Sequence, residues 1–345
     1  MKSRSHAPTH NTVARIAMDM ESKPIRRGSL FDGMCKVYSA PFTEIDSGYL
    51  VLNQMAFCDL RVGWAAGPQQ VIRSVDGGNV WTNKYGTLLQ DLGVVPQSVE
   101  PVSSSMCWIA GSSFAPGVFL FRTVDGGKSW EALDIGEEVQ PKCLCFVTSG
   151  IGWVLASSGS TQKIETYLFH TNDGGKSWQR QFLPQASGMP SLLRFTKEGV
   201  GYLVERRDIL KPSPEWSRLY ASKDGGQIWH LTAEFDCSVN ALIVDDAHRI
   251  YIGDDDGIVW KSENAGRNWR HVVQLGGPVQ TVVFDRRGFG FIAGDFDGAL
   301  ISKDGGVNWT EYSFAGLISA VIDAHFIEAK KVVIASTVGI YRLEF

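Results

Sequence analysis

The sequence contains no apolar run near the roughly 18 residues that a membrane-spanning helix needs, so no such span is expected. Helical periodicity is nearly absent, with only Thr87–Leu92 and residues 11–20 as weak candidates. Six cysteines in 345 residues are too dilute for a disulfide framework. Cys58, Cys143, Cys145 and Cys237 fall in apolar, strand-like runs, where a free thiol behaves as a small hydrophobe. The N-terminus has no apolar stretch of the kind a secretory signal carries, so a cytoplasmic, reduced protein is the expectation. Positive charge is scarce outside residues 1–30, which hold six basic residues (Lys2, Arg4, Arg15, Lys23, Arg26, Arg27) against Asp19 and Glu21. The remainder carries 27 basic and 35 acidic residues, a net of −8 within an overall −4. An acidic body argues against nucleic acid as a partner, because phosphates require a basic face.

What the sequence does have in excess is glycine, with 37 residues, and tryptophan, with 11, and one repeat accounts for both. Six copies align: SVDGGNVW (Ser74–Trp81), TVDGGKSW (Thr123–Trp130), TNDGGKSW (Thr171–Trp178), SKDGGQIW (Ser222–Trp229), SENAGRNW (Ser262–Trp269) and SKDGGVNW (Ser302–Trp309). Their Asp or Asn positions (Asp76, Asp125, Asp173, Asp224, Asn264, Asp304) are spaced by 49, 48, 51, 40 and 40 residues. Each copy lies between strand-like runs and reads as a hairpin turn whose Asp and Ser/Thr oxygens accept hydrogen bonds from the turn's own amides. The second glycine never varies, which implies positive φ there. The closing tryptophans Trp81, Trp130, Trp178, Trp229, Trp269 and Trp309 are expected to clamp each turn onto its sheet.

Upstream of each turn an aromatic recurs in a short apolar run, at Trp64, Trp108, Trp153, Tyr202, Tyr251 and Phe291, with Val333 in the aligned place near the C-terminus. Another apolar run precedes each of these, so every unit reads as four short strands, the pattern of a propeller blade. The repeat resembles the Asp-box (BNR) repeat over about residues 50–345, and its DGGxxW form is most similar to the photosystem II stability and assembly factor-like family and its non-photosynthetic bacterial relatives. The resemblance implies a β-propeller and leaves function open, because sialidases, xyloglucanases and sorting receptors share the motif. The expected fold is all-β: a single seven-bladed β-propeller of four-stranded antiparallel blades over residues 31–345, preceded by a basic N-terminal tail at residues 1–30. Blade seven lacks an outer strand, and residues 34–40 (MCKVYSA) are expected to supply it by pairing with Tyr341–Phe345, closing the ring.

Repeat spacing also points to a face. The count from the second-strand aromatic to the box Asp or Asn rises from 12 or 13 in blades one, five and six to 17, 20 and 22 in blades two to four. The extra residues fall in the two-to-three loops at Ser112–Gly117, Ser157–Glu165 and Glu205–Ser217, and one long connection, Tyr85–Glu100, follows blade one. These loops share one face, opposite the Asp-box turns, and elaborated loops on a rigid scaffold are where binding usually sits. Within Glu205–Tyr220, Arg206, Arg207, Lys211 and Trp216 are the candidate partner-binding residues, because Trp and Arg are enriched at interface hot spots.

Catalytic and metal patterns are weak. A sialidase needs several inner-strand arginines to grip a carboxylate, and only blade four offers one, Arg194. The DGGKS segments at Asp125 and Asp173 lack the earlier glycine of a phosphate loop, Arg122 and His170 standing there instead. The acidic runs Asp254–Asp256 and Asp295–Asp297 read as tight Asp-Gly turns, and Cys143-x-Cys145 has no second pair, so no metal and no cofactor are expected. The resulting expectation is a monomeric, non-catalytic scaffold that binds another protein, either an assembly factor or a partner-capping inhibitor. The alternative is a carbohydrate-active propeller.

Overall fold

A computed structural model describes residues 14–16, 26–29, 34–38, 51–112, 120–135, 139–160, 163–181, 183, 188–207, 215–245, 248–314, 320–328, 330–337 and 339–345. Seven antiparallel sheets of four consecutive or nearly consecutive strands form the ring. Blade one comprises Gln54–Phe57, Gly63–Gly67, Gln70–Ser74 and Thr82–Asn83. Blade two comprises Val95–Pro101, Cys107–Ser112, Leu120–Thr123 and Glu131–Leu133, and blade three Gln140–Phe146, Gly152–Ser160, Lys163–Thr171 and Gln179–Gln181. Blade four has Met189–Phe195, Gly201–Arg206, Ser217–Ser222 and His230–Phe235; blade five has Val239–Val244, Ile250–Asp254, Ile258–Ser262 and Arg270–Gln274. Blade six has Val279–Phe284, Gly290–Gly294, Ala299–Ser302 and Thr310–Ser313. Blade seven takes Val321–Glu328, Lys331–Ser336 and Gly339–Glu344, and Met34–Tyr38 pairs antiparallel with the last of these as its outer strand. The inner strand of each blade packs beside the next, and that of blade seven beside that of blade one, so the ring is closed as the sequence implied.

Two features of the N-terminal region differ from a solvated tail. Ala14–Ile16 adds parallel to the outer strand of blade four, and Arg26–Ser29 adds parallel to that of blade six. Residues 11–20, a weak helix candidate, therefore contain a strand instead, whereas Thr87–Asp91 is the helix expected there.

Every box folds the same way. The Ser or Thr hydroxyl donates to the Asp or Asn oxygen at 2.7–3.1 Å and accepts the second glycine's N–H at 2.8–2.9 Å in all six copies. The Asp oxygen then accepts the N–H groups three and four residues on, as Asp76 does from Asn79 and Val80, both at 3.0 Å. The first glycine's N–H donates to the loop between strands one and two of its own blade, as Gly126 does to Ser105 and Gly225 to Gly199, which places both loops on one face. Both box glycines have positive φ, yet Ala265 occupies the first position at φ 58 while the second stays glycine. The space beside the box glycines varies between copies. A Cβ on Gly175 would lie 2.2 Å from Trp108, whereas one on Gly305 would meet nothing.

The tryptophans hold more than their own turn. Trp130 meets Trp64 of the preceding blade edge-on at 5.9 Å, and Trp178 meets Trp108 in the same way at 6.0 Å. An inner-strand Phe also stacks on the second-strand ring of the blade before it, Phe146 on Trp108 at 4.8 Å and Phe195 on Trp153 at 3.7 Å. Four box tryptophans also donate Nε1 to their own turn's second-glycine carbonyl, so the ring holds its turn as expected and, where it reaches the preceding blade, wedges between the two. Cations complete the seam. The Arg122 guanidinium lies 5.2 Å above the Trp108 ring, and its Nη1 donates to the Gly174 carbonyl in the next blade's box.

These contacts predict different outcomes for two glycine-to-alanine changes. Gly305→Ala should cost about 1–2 kcal/mol, the penalty of a left-handed L-residue. Gly175→Ala adds the clash with Trp108, for which overpacking contributes about 1–3 kcal/mol more. Denaturant unfolding of both variants checks this, and equal losses would mean that the inter-blade wedge does not constrain the turn.

Candidate protein-interaction face

The longest loop insertion springs from blade four, and the structure shows what its base is made of. Arg206 ends the second strand, in register with Met189 on one side and Ser217 on the other. Its Nε donates to Ser191 Oγ at 3.0 Å and its Nη1 to Asn240 Oδ1 at 3.1 Å. Those acceptors lie on the inner strands of blades four and five, so the guanidinium bridges the two blades. Both acceptors are neutral, and among the described residues no carboxylate forms an ion pair with Arg206. Burial works against its charged form, and Asp255 and Glu215 at longer range support it.

The neighbouring candidates are engaged differently. Arg207 pairs with Glu215, whose other oxygen accepts the Ser238 hydroxyl at 2.9 Å, and these bonds hold the Glu215 carboxyl below the ordinary carboxylate range. Trp216 covers Gly188 so closely that a Cβ there would be 2.7 Å from the indole. The Arg218 guanidinium sits 4.7 Å above the same ring and pairs with Glu234 at 2.8 Å. Arg206, Arg207 and Trp216 are therefore half-buried parts of a fixed base. Lys211 lies outside the described residues.

Three residues that sequence reasoning did not single out anchor this base. Glu205 has no exposed surface and accepts the Tyr220 hydroxyl at 2.9 Å and the Gly188 N–H. Burial and the adjacent Glu205 push the Tyr220 hydroxyl well above its ordinary pKa. Asn240 comes from the next blade, and only the tertiary fold brings it to Arg206. The Tyr220–Glu205 pair has the residue types of a sialidase nucleophile and base, but a fully buried carboxylate cannot meet a sugar.

Blade three's insertion is a lengthening of the blade itself, its second and third strands running nine residues each as a continuous hairpin. On blades five and six the same face carries the Asp-Gly turns. Asp254 is fully buried and accepts from Trp260 Nε1 at 2.8 Å and Ile258 N at 2.7 Å, so it serves the turn. The opposite face is less featureless than its repeated turns suggest. Seven of the eight large hydrophobic side chains exposed among the described residues (Leu60, Val75, Val80, Val124, Ile151, Ile228, Val307) lie on it.

The half-buried side chains of the inner strands alternate with buried ones and turn toward the central channel. They include Glu100, Cys143, Arg194, Asp323 and His325. Arg194 is the one arginine on the described inner strands, and its Nη1 donates to its own strand's Leu193 carbonyl at 2.8 Å. Glu100 reaches across to accept the Phe146 N–H of blade three at 3.3 Å. Burial raises the Glu100 carboxyl to about 7 and that of Asp323 to about 6, against the opposing pull of Arg194. Burial drives the Cys145 thiol up to about 12 and His325 down to about 4, so one is protonated and the other neutral at pH 7. This arrangement has no converging arginines and no thiolate.

A carboxyl with a raised folded-state pKa favours folding fully below its unfolded value, and that contribution is lost as pH rises through the folded value. For Glu100 the window runs from 4.5 to about 7. Glu100→Gln keeps an acceptor for Phe146 and removes the titration. Its melting temperature should exceed wild type most above pH 7, with the gap closing toward pH 4.5. A gap independent of pH in thermal melts would show that Glu100 is not strained in its charged form.

No protein-family model matches the chain, and no curated protein matches it in sequence. Solved structures do match in fold. A structure of YCF48 bound to D1 peptide aligns with TM-score 0.66 and 19% identity over 90% of this chain and 96% of its own. YCF48 from Cyanidioschyzon merolae aligns with TM-score 0.67 and 16% identity over 90% and 99%. A streptogramin B lyase aligns with TM-score 0.64 and 10% identity over 92% and 99%. At these identities the likeness is one of fold: the chain is a seven-bladed β-propeller of the architecture that YCF48 adopts.

Proposed function

We propose that this protein is a non-catalytic propeller that binds a segment of another protein on the loop-elaborated face over blades two to four, with Arg206 at the centre. The observation that carries the reading is the state of that arginine. Two neutral oxygens fix its guanidinium across the junction of blades four and five, and it keeps N–H donors beyond the two that are used. A guanidinium pre-oriented in this way suits a partner carboxylate, to which it can donate in parallel, and little side-chain freedom is lost on binding. The surrounding pairs Arg207–Glu215 and Arg218–Glu234 are already satisfied, so they hold the platform and leave Arg206 to discriminate. That a similar propeller is described as bound to a peptide supports a polypeptide ligand for this architecture. The absence of a converging arginine set in the described channel, together with the burial of Glu205, favours binding over glycoside chemistry.

The test is affinity capture from the native host, followed by titration of the partner so identified. Arg206→Gln should weaken binding by roughly 30-fold, the equivalent of a hot-spot loss of about 2 kcal/mol. A control altered on the Asp-box face, Lys128→Ala with Lys176→Ala, should bind as wild type does. Loss of the partner by the control and retention by Arg206→Gln would place the interface on the opposite face.

A further inference from the structure

The outer edges of propeller blades expose unpaired backbone groups, and short outer strands are one way of blunting them. Here the outer strands of blades one, two and three run only two or three residues. Those of blades four, five and six run six, five and four. Two of these three longer edges are covered, and both covers come from residues 1–30. Ala14–Ile16 lies parallel to Ala233–Phe235, and Arg26–Ser29 parallel to Thr310–Ser313.

The registers share a charge pattern. Arg15 is the register partner of Glu234, and Arg27 that of Glu311. The edge that no described residue covers, Arg270–Gln274 of blade five, carries Arg270 and His271 and no acid. The covering segment has a net charge of +4 and the rest of the chain −8, so attraction adds to strand pairing at the two acidic edges and opposes it at the basic one. Parallel pairs of three and four residues are individually weak, because parallel pairing is slightly less stable per residue than antiparallel.

We propose that the outer edges of blades four and six are strand-addition sites for an extended basic segment, filled in cis by residues 14–16 and 26–29 and open to exchange with a basic segment supplied in trans. The proposal does not rest on the Arg206 reading: the blade-four edge shares only Glu234 with that platform, through its pair with Arg218, and the blade-six edge shares no residue with it. The occupant is defined by backbone pairing plus arginine in register with glutamate, the combination by which strand addition gains affinity from the main chain and selectivity from side chains.

Hydrogen–deuterium exchange on the full-length protein tests it. In wild type, amides of Ala233–Phe235 and Glu311–Ser313 should exchange slowly. Arg15→Pro should speed exchange at the first site and Gly28→Pro at the second by roughly tenfold or more, with Arg270–Gln274 unchanged as the internal control. Arg15→Glu and Arg27→Glu should act in the same direction as the corresponding proline changes. A synthetic peptide of residues 11–30, added to the protein carrying both proline changes, should restore protection at both edges. The same peptide with glutamate in place of both register arginines should not. The proposal fails if the proline variants exchange like wild type, or if the glutamate peptide protects as well as the native one.

Discussion

The structure depends on the seam between consecutive blades, where a box tryptophan wedges between its own inner strand and the second strand of the blade before it. Trp178 meets both Trp108 of the preceding blade and Phe146 of its own, and Trp229 and Trp309 meet the inner-strand Phe195 and Phe284 of their own blades in the same edge-on manner. The second-strand rings Trp64, Trp108, Trp153, Tyr202, Tyr251 and Phe291 are essentially without exposed surface as a result. A propeller has no core shared by all its blades, so the sum of these seams is its stability. The box turn exists to present the wedge. Its Asp saturates the turn's amides, its second glycine at positive φ leaves out a Cβ that in Gly175 would strike the preceding blade's Trp108, and the tryptophan follows at a fixed offset.

The same seam explains a covariation inside the repeat. Where the inner strand ends in phenylalanine, the register partner that opens the second strand is glycine: Phe57 with Gly63, Phe146 with Gly152, Phe195 with Gly201 and Phe284 with Gly290. A Cβ on any of these glycines would come within 2.3–2.6 Å of its phenylalanine ring. Blades two and five, where Pro101 and Val244 end the inner strand, carry Cys107 and Ile250 at that place. In these four blades the ring uses the space above a bare backbone, and blades two and five, which omit the ring, restore a side chain; blade seven, where Phe326 pairs with Val332, does not follow the pattern.

Periodicity made the ring legible from the sequence. Six boxes, a seventh unit without one and a strand-like segment at residues 34–40 sufficed for blade count and closure, the boxes because they are a local pattern repeated at a regular interval. What the sequence could not display were contacts between repeats. Nothing in SxDGGxxW says that the tryptophan meets the preceding blade, or that Asn240 and Ser191 converge on Arg206. Nor does composition say that the Trp216 indole covers Gly188 in the fold. The strands at 14–16 and 26–29 escaped notice for a related reason: three or four residues carry no periodicity, and only the acidic edges they meet give them a place.

These constraints divide the molecule's surface by chemistry. The box carboxylates Asp76, Asp125, Asp173, Asp224 and Asp304 are bound to their own turns, and the two most strongly bonded, Asp125 and Asp173, hold their protons far less readily than a free carboxyl. Such groups have spent their acceptors and cannot recognise a ligand without unmaking the turn, and with it the seam that the turn presents. Recognition must then use groups that the repeat does not require. On the loop face those are the residues beyond the repeat length, and among the described ones Arg206 is the one whose guanidinium is fixed by neutral acceptors rather than by a carboxylate. A rigid ring held by identical seams gains specificity only where the repeat is broken, and blade four, which combines the longest loop insertion with the longest outer strand, is where it is broken most.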